Sequence, residues 1–249
     1  MYLSHKIKIS DKINLLSKIK LSGKRDKLID DKNVVEYMPK SVKQKEYKKS
    51  LYNPNIDLLF GMGPAGTGKT LFACQFAIDS LKNNKINKII ITRPAISIEE
   101  DMGFLPGDIN SKMYPYTIPI FDIFEEYYTK KELTNLVFEN IIEIAPLGFM
   151  QGRTFKNSII IADEMQNSTP NQMLMLLTRI GLNSKMVVTG DLMQTKIKDN
   201  GLYDIIYKLK NNYPTREDML NDGIDIIKLE SSDIQRSNIV KIINNIYNK

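Results

Sequence analysis

Tryptophan is absent from the chain, and cysteine and histidine occur once each, as Cys74 and His5. A single cysteine cannot close a disulfide within the chain, which suits a reducing compartment. One histidine and one cysteine cannot furnish a zinc site of the His/Cys type, and a lone His5 near the start of the chain leaves no Ser-His-Asp triad of sensible geometry. No apolar run approaches membrane-spanning length, and the first residues lack the apolar core of a signal peptide. The expectation is a soluble, cytoplasmic protein with no membrane association. Its 249 residues, 42% of them hydrophobic, are enough for one large domain with an extension.

Acidic residues are scarce at one end. Residues 1–50 hold 14 Lys and Arg against 6 Asp and Glu, a net of +8; the remainder holds 21 against 23, a net of −2. A basic arm on a near-neutral domain fits contact with nucleic acid, although a solvated, lysine-rich surface helix gives the same count. Residues 1–38 read as the basic extension and 39–249 as the domain. Between Ile7 and Ile29 the apolar spacing fits an amphipathic helix or two short strands equally.

The strongest motif is Gly63-Pro64-Ala65-Gly66-Thr67-Gly68-Lys69-Thr70, which fits Gly-x-x-x-x-Gly-Lys-Ser/Thr, the phosphate-binding P-loop. Its glycines permit a tight turn in which backbone N–H groups face phosphate oxygens. Lys69 brings a positive charge to the β- and γ-phosphates, and the Thr70 hydroxyl is placed to ligate Mg²⁺. An apolar strand over 56–60 precedes the loop, and a helix from Leu71 follows it. The expected ATP-binding segment is therefore Gly63 to Leu71. Upstream, a helix is expected over Lys40 to Leu51. Gln44 lies in it and carries an amide able to pair with both edges of adenine; taken alone, an exposed glutamine is the simpler reading.

Ser158-Ile159-Ile160-Ile161-Ala162-Asp163-Glu164 is the second strong signal. It reads as a fully buried parallel strand with two carboxylates at its end. About a hundred residues after a P-loop, this pattern is Walker B. Asp163 would hold Mg²⁺, through water or with Thr70, and Glu164 would orient the attacking water and take its proton. Strands are also expected over 86–92, 141–145, 185–189 and 224–229. Helices are expected over 114–140, from Pro170 to Arg179 behind a Thr169 cap, and over 202–210 and 233–247. The aromatics Phe121, Phe124, Tyr127, Tyr128 and Phe138 read as core rather than as a base-stacking platform. Arg93 ends a strand on the side where open parallel sheets bind ligands, and Gln194 follows another such end at Gly190-Asp191.

Taken together, the P-loop, Thr92-Arg93-Pro94, Gly103-Phe104-Leu105-Pro106-Gly107-Asp108, Gly152-Arg153-Thr154, Asp163-Glu164-Met165-Gln166-Asn167, Leu177-Thr178-Arg179 and Thr189-Gly190-Asp191 with Gln194 resemble the PhoH family. These are P-loop ATPases similar to the first lobe of superfamily 1 helicases. The chain departs at Met165, where Ala is usual, at Gln151, where a second arginine is common, and over Thr195 to Lys198.

The alternation of strands and helices implies an α/β, RecA-like P-loop NTPase fold, with a parallel sheet covered by helices on both faces. The resemblance places Gln44 in the family's adenine-contacting region and Arg236 on an arginine of its last helix. The leading reading is ATP hydrolysis with Mg²⁺, coupled to RNA or single-stranded DNA. Lys69, Glu164 and Gln194 serve the chemistry, and Arg93 and Arg153 contact nucleic acid. A lone lobe would draw its catalytic arginine from a neighbouring copy, with Arg153, Arg179 and Arg236 as candidates, Arg236 first and Arg179 second, so a homo-oligomer, a hexameric ring among the options, is expected. An ATP-dependent switch or scaffold of slow turnover is the alternative, and a P-loop kinase ranks third.

Overall fold

The computed structural model describes residues 36–94, 109–195 and 197–235, together with 239 and 246. The chain divides into residues 1–34 and 35–249, and the described residues belong to the second unit. Most of the basic arm, the segment Gly103 to Asp108, Arg236 and most of the expected last helix lie outside the described residues.

Six parallel strands form one sheet: β1 (Leu58–Met62), β2 (Lys88–Thr92), β3 (Ile142–Ile144), β4 (Ser158–Ala162), β5 (Lys185–Gly190) and β6 (Ile224–Lys228), in the order β3-β2-β4-β5-β1-β6. Because successive side chains point to opposite faces, a parallel sheet covered on both sides needs apolar residues at nearly every position. The Ile-rich strands β2 and β4 meet that need. Ile89, Ile91, Ile159 and Ile161 pack on one face, while Ile90 and Ile160 pack on the other.

On the first face lie α1 (Val42–Tyr52), α2 (Lys69–Lys82), α3 (Ile109–Glu125) and α4 (Lys130–Phe138), through core residues such as Tyr47, Phe72, Phe124 and Leu133. On the second lie α5 (Pro170–Leu177), α6 (Gly201–Asn212) and α7 (Arg216–Asn221), through Met173, Leu176, Ile206 and Met219. The RecA-like layering expected from the sequence is therefore present.

The local differences have physical causes. The helical stretch expected over 114–140 is two helices, because the Thr129 hydroxyl and the Glu132 carboxylate form a reciprocal cap that starts α4 afresh. Four of the five aromatics noted there are core, but Phe138 is exposed. The Thr169 cap and Pro170 at the first turn of α5 are as expected, although the helix ends at Leu177 rather than Arg179. Asp233, expected to open the last helix, sits in a 3₁₀ turn over Ser231–Asp233.

Helix α1 is polar in sequence yet closely fastened. Ser50 donates to Asp225 at 2.6 Å, and the Lys185 ammonium donates to the carbonyls of Leu51 and Asn53, each at 2.7 Å. Burial pushes the Lys185 pKa down to about 8.

Candidate nucleotide-binding site

The rim of the sheet at the strand C-termini carries the functional side chains. Strand β1 runs into the P-loop, and α2 starts at Lys69. Gly63 has φ +141, and a Cβ there would lie 2.3 Å from the Leu229 carbonyl oxygen, so the loop and the chain after β6 approach as only glycine permits. Gly68 has φ +89 against the Phe72 ring. The Lys69 ammonium donates to the carbonyls of Gly63 at 2.5 Å and Pro64 at 2.8 Å, so it lies across the mouth of the loop. Thr67 closes the turn by donating to Pro64 at 2.9 Å.

Thr70, at the first turn of α2, donates to Asp163 Oδ1 at 2.8 Å. This contact joins the two motifs that lie 93 residues apart in sequence. Thr189, at the end of β5, also donates to Oδ1. Arg93, one residue past β2, reaches the other oxygen: its Nε donates to Oδ2 at 2.8 Å and a terminal nitrogen donates to the same atom. Asp163 is 1% exposed, so each of these partners offsets the cost of burying its charge. The nucleic-acid contact expected of Arg93 would have to draw on a guanidinium that the structure places at the P-loop rim, paired with Asp163, the carboxylate expected to hold Mg²⁺.

Glu164 has φ +57, in the left-handed region that L-residues occupy at a cost of about 1–3 kcal/mol. Gln166 donates to its Oε2 at 2.6 Å and accepts, through Oε1, from the Asp191 backbone N–H at 3.1 Å. Thr195 donates to the Gln166 carbonyl at 3.0 Å. The Walker B glutamate is thus tied through one buried amide to the turn after β5. Gln194 lies in that turn, exposed, its backbone N–H bonded to the Asp191 carbonyl. Met165, where the motif usually has Ala, is fully buried among the second-face residues.

The expected site residues separate into groups. Gly63 to Leu71, Asp163, Glu164 and Arg93 gather on one rim, with Gln194 in the loop that follows the adjoining strand. Gln44 is close by, but it is not an exposed glutamine: it is 2% exposed, its Oε1 accepts from Lys40 and Ser41, and its Nε2 donates to the carbonyls of Thr67 and Asp233. Its amide braces the P-loop, so adenine pairing would require those bonds to be exchanged.

Arg153 forms a two-pronged ion pair with Glu143 on the edge strand and lies over the Phe155 ring. That pairing, with Lys88, holds the Glu143 carboxyl below its usual range against the opposing effect of burial. Arg179 donates to the carbonyls of Met175 and Arg153 and to the Thr178 hydroxyl, which makes it a cap on the end of α5. It lies where the chain enters β4, the pole opposite Asp163. A catalytic or nucleic-acid role for either arginine would have to displace these bonds. The contacts of Thr189 with Asp163 and of Gln166 with Glu164 are not legible in their motifs. The signal that marks Thr189 is a hydroxyl just before Gly-Asp at a strand end.

Mg²⁺ fits this donor set. It usually keeps several waters and takes one or two protein oxygens plus substrate phosphates, which is what a hydroxyl beside a single carboxylate offers. Among the described residues no group of three or more His, Cys, Asp or Glu forms a separate metal cage.

A phosphate loop on one strand and an acidic pair on another, with β5 between them contributing to both, make this a RecA-like P-loop NTPase fold. Within that class the chain belongs to the PhoH family: residues 36–248 match the family described as PhoH-like protein. A PhoH-like protein of Bacillus subtilis (strain 168) is 42% identical over 212 residues, covering 84% of this chain and 63% of that protein. Protein PhoH of Escherichia coli (strain K12) is 34% identical over 194 residues, covering 74% and 52%. The chain therefore spans less than two thirds of the length of these relatives. Among solved structures, the Sulfolobus solfataricus SWI2/SNF2 ATPase core in complex with dsDNA aligns with a TM-score of 0.45 at 11% identity, over 79% of this chain and 45% of that one.

Proposed function

We propose that this protein is an Mg²⁺-dependent ATPase whose turnover is coupled to RNA or single-stranded DNA. The observation that carries the ATP site is the Thr70–Asp163 contact, which joins the P-loop to the acidic strand end with Glu164 next in sequence.

In this reading the P-loop N–H groups and Lys69 bind the β- and γ-phosphates. Thr70 and Asp163 would hold Mg²⁺, which neutralises phosphate charge when bound. Glu164 orients the attacking water and accepts its proton, with Gln166 fixing the carboxylate. Gln194 lies in the turn that Gln166 connects to Glu164, so a contact there could report on the γ-phosphate. Nucleic acid would engage the basic arm of residues 1–38. The chain would act in the cytoplasm as a homo-oligomer, with Arg236 reaching a neighbour's site. Among the described residues no helix is long and apolar enough to cross a membrane.

The test is the ATP hydrolysis rate with and without single-stranded RNA or DNA. Stimulation by the polymer supports the coupled ATPase. Tight ATP binding with slow turnover that no polymer changes supports the switch or scaffold instead.

A further inference from the structure

We propose that Arg93 is the cation this lobe supplies in cis to the γ-phosphate of its own bound nucleotide. The inference rests on the ATP-site reading above and deepens it.

The placement is set by the sheet. Thr92 pairs in register with Ala162, so the residues that follow, Arg93 and Asp163, leave adjacent strands side by side. The Asp163 carboxylate divides its partners. Oδ1 faces the hydroxyls of Thr70 and Thr189, while Oδ2 faces the guanidinium. The Arg93 side chain is only 17% exposed, unlike a surface arginine reaching for a polymer.

The charge count points the same way. Among the described residues, Lys69 and Arg93 are cations at the P-loop and the ends of β2 and β4, where Asp163 and Glu164 are anions, with Asp191 following β5. ATP brings a terminal phosphate that ADP lacks, and charge builds on its oxygens during transfer. A guanidinium held against the carboxylate that faces Thr70 would share its donors with that phosphate through a side-chain adjustment. Its planar fork matches phosphate oxygens better than an ammonium would. Arg179 caps a helix at the far pole, so among the described residues Arg93 is the arginine seated at the phosphate end of the sheet.

The competing role is purely structural, with Arg93 serving only to neutralise buried Asp163. The two roles differ in what they do to ADP. A neutralising partner affects ADP and ATP alike, whereas a γ-phosphate cation affects ATP alone.

The experiment measures equilibrium binding of ADP and of a non-hydrolysable ATP analogue, with Mg²⁺, to the full chain, to Arg93→Ala and to Arg93→Gln. Melting temperatures verify folding, and Arg93→Gln, which keeps a donor for Asp163, decides if the alanine variant fails to fold. The expected result is a loss of about 10–100-fold in analogue affinity with ADP affinity within about twofold of the parent. Equal weakening of both nucleotides, or of neither, overturns the proposal. Mixing Lys69→Ala with Arg93→Ala protein should restore no hydrolysis, because each intact site needs both residues in one chain; recovery would overturn the assignment in cis. A parent protein that binds neither nucleotide would instead overturn the ATP-site reading itself.

Discussion

Gln166 donates to the Glu164 carboxylate at 2.6 Å, and its other amide atom accepts from the Asp191 backbone. The carboxylate proposed as the base is thereby tied to the turn that carries Gln194. The ends of β4 and β5 are linked through one buried side chain that is 1% exposed.

Gln166→Ala should cut the hydrolysis rate by about 10–100-fold, because a misplaced base loses the geometry that catalysis requires. ATP affinity should change little, since the P-loop is untouched. Steady-state rates beside equilibrium binding check this; a matching loss of affinity would mean that Gln166 supports the fold of the site rather than the base.

Gly63→Ala places a Cβ 2.3 Å from the Leu229 carbonyl at a φ of +141. The variant should lose about 2 kcal/mol or more of stability, with the P-loop distorted. Urea unfolding and nucleotide binding should both reveal it. A stable variant that binds ATP normally would show that the chain after β6 does not constrain the loop.

Asp225 fastens three elements, accepting from Ser50 of α1 and from Arg216 of α7 while it stands in β6. Burial would raise its pKa, but the bonds from Arg216 and Ser50 outweigh this and hold it below the usual value of 3.8. A carboxylate with a depressed folded pKa contributes stability that is complete above its unfolded pKa and is lost as pH falls through the folded one. The contribution should therefore persist down to about pH 4 and fade below it. Asp225→Asn should cost about 2 kcal/mol at neutral pH and flatten that acid limb. Denaturation at a series of pH values measures both, and an unaltered acid limb would remove Asp225 as the source.

Deleting residues 1–35 removes much of the chain's excess positive charge. Affinity for single-stranded nucleic acid should fall for all sequences alike, and the slope of log affinity against log salt should flatten, because phosphate contacts carry no sequence information. Titrations at several salt concentrations decide it; an unchanged slope would make the arm a solvated surface segment.

Much of this was legible in the sequence where the signal is local. The Ile159 to Ile161 run gives β4, and the loop glycines with Lys69 and Thr70 give the phosphate site. Thr129 and Glu132 also carried a local signal, a capping box, but the continuous aromatic run masked the break there. Helix α7 carries no clear periodic signal because it is short and charged, with only Met219 buried. The burial of Gln44 could not be read from a helix whose neighbours are mostly lysines; its amide is satisfied by carbonyls 23 and 189 residues away. The position of Arg93 on the ligand side of the sheet is legible from its strand end, but its pairing with Asp163 is not, because that partner comes from another strand 70 residues on.

The central claim is that the P-loop and the Walker B strand form one ATP-hydrolysing site, with Glu164 as the base. The most direct measurement is single-turnover hydrolysis of bound ATP, with binding measured in parallel, for the parent, Lys69→Ala and Glu164→Gln. The account predicts that Lys69→Ala fails to retain ATP, because the loop loses its fixed cation. It predicts that Glu164→Gln binds ATP as the parent does but releases phosphate about 100-fold or more slowly, since an amide cannot take the proton from water. Hydrolysis by Glu164→Gln at the parent rate would contradict it.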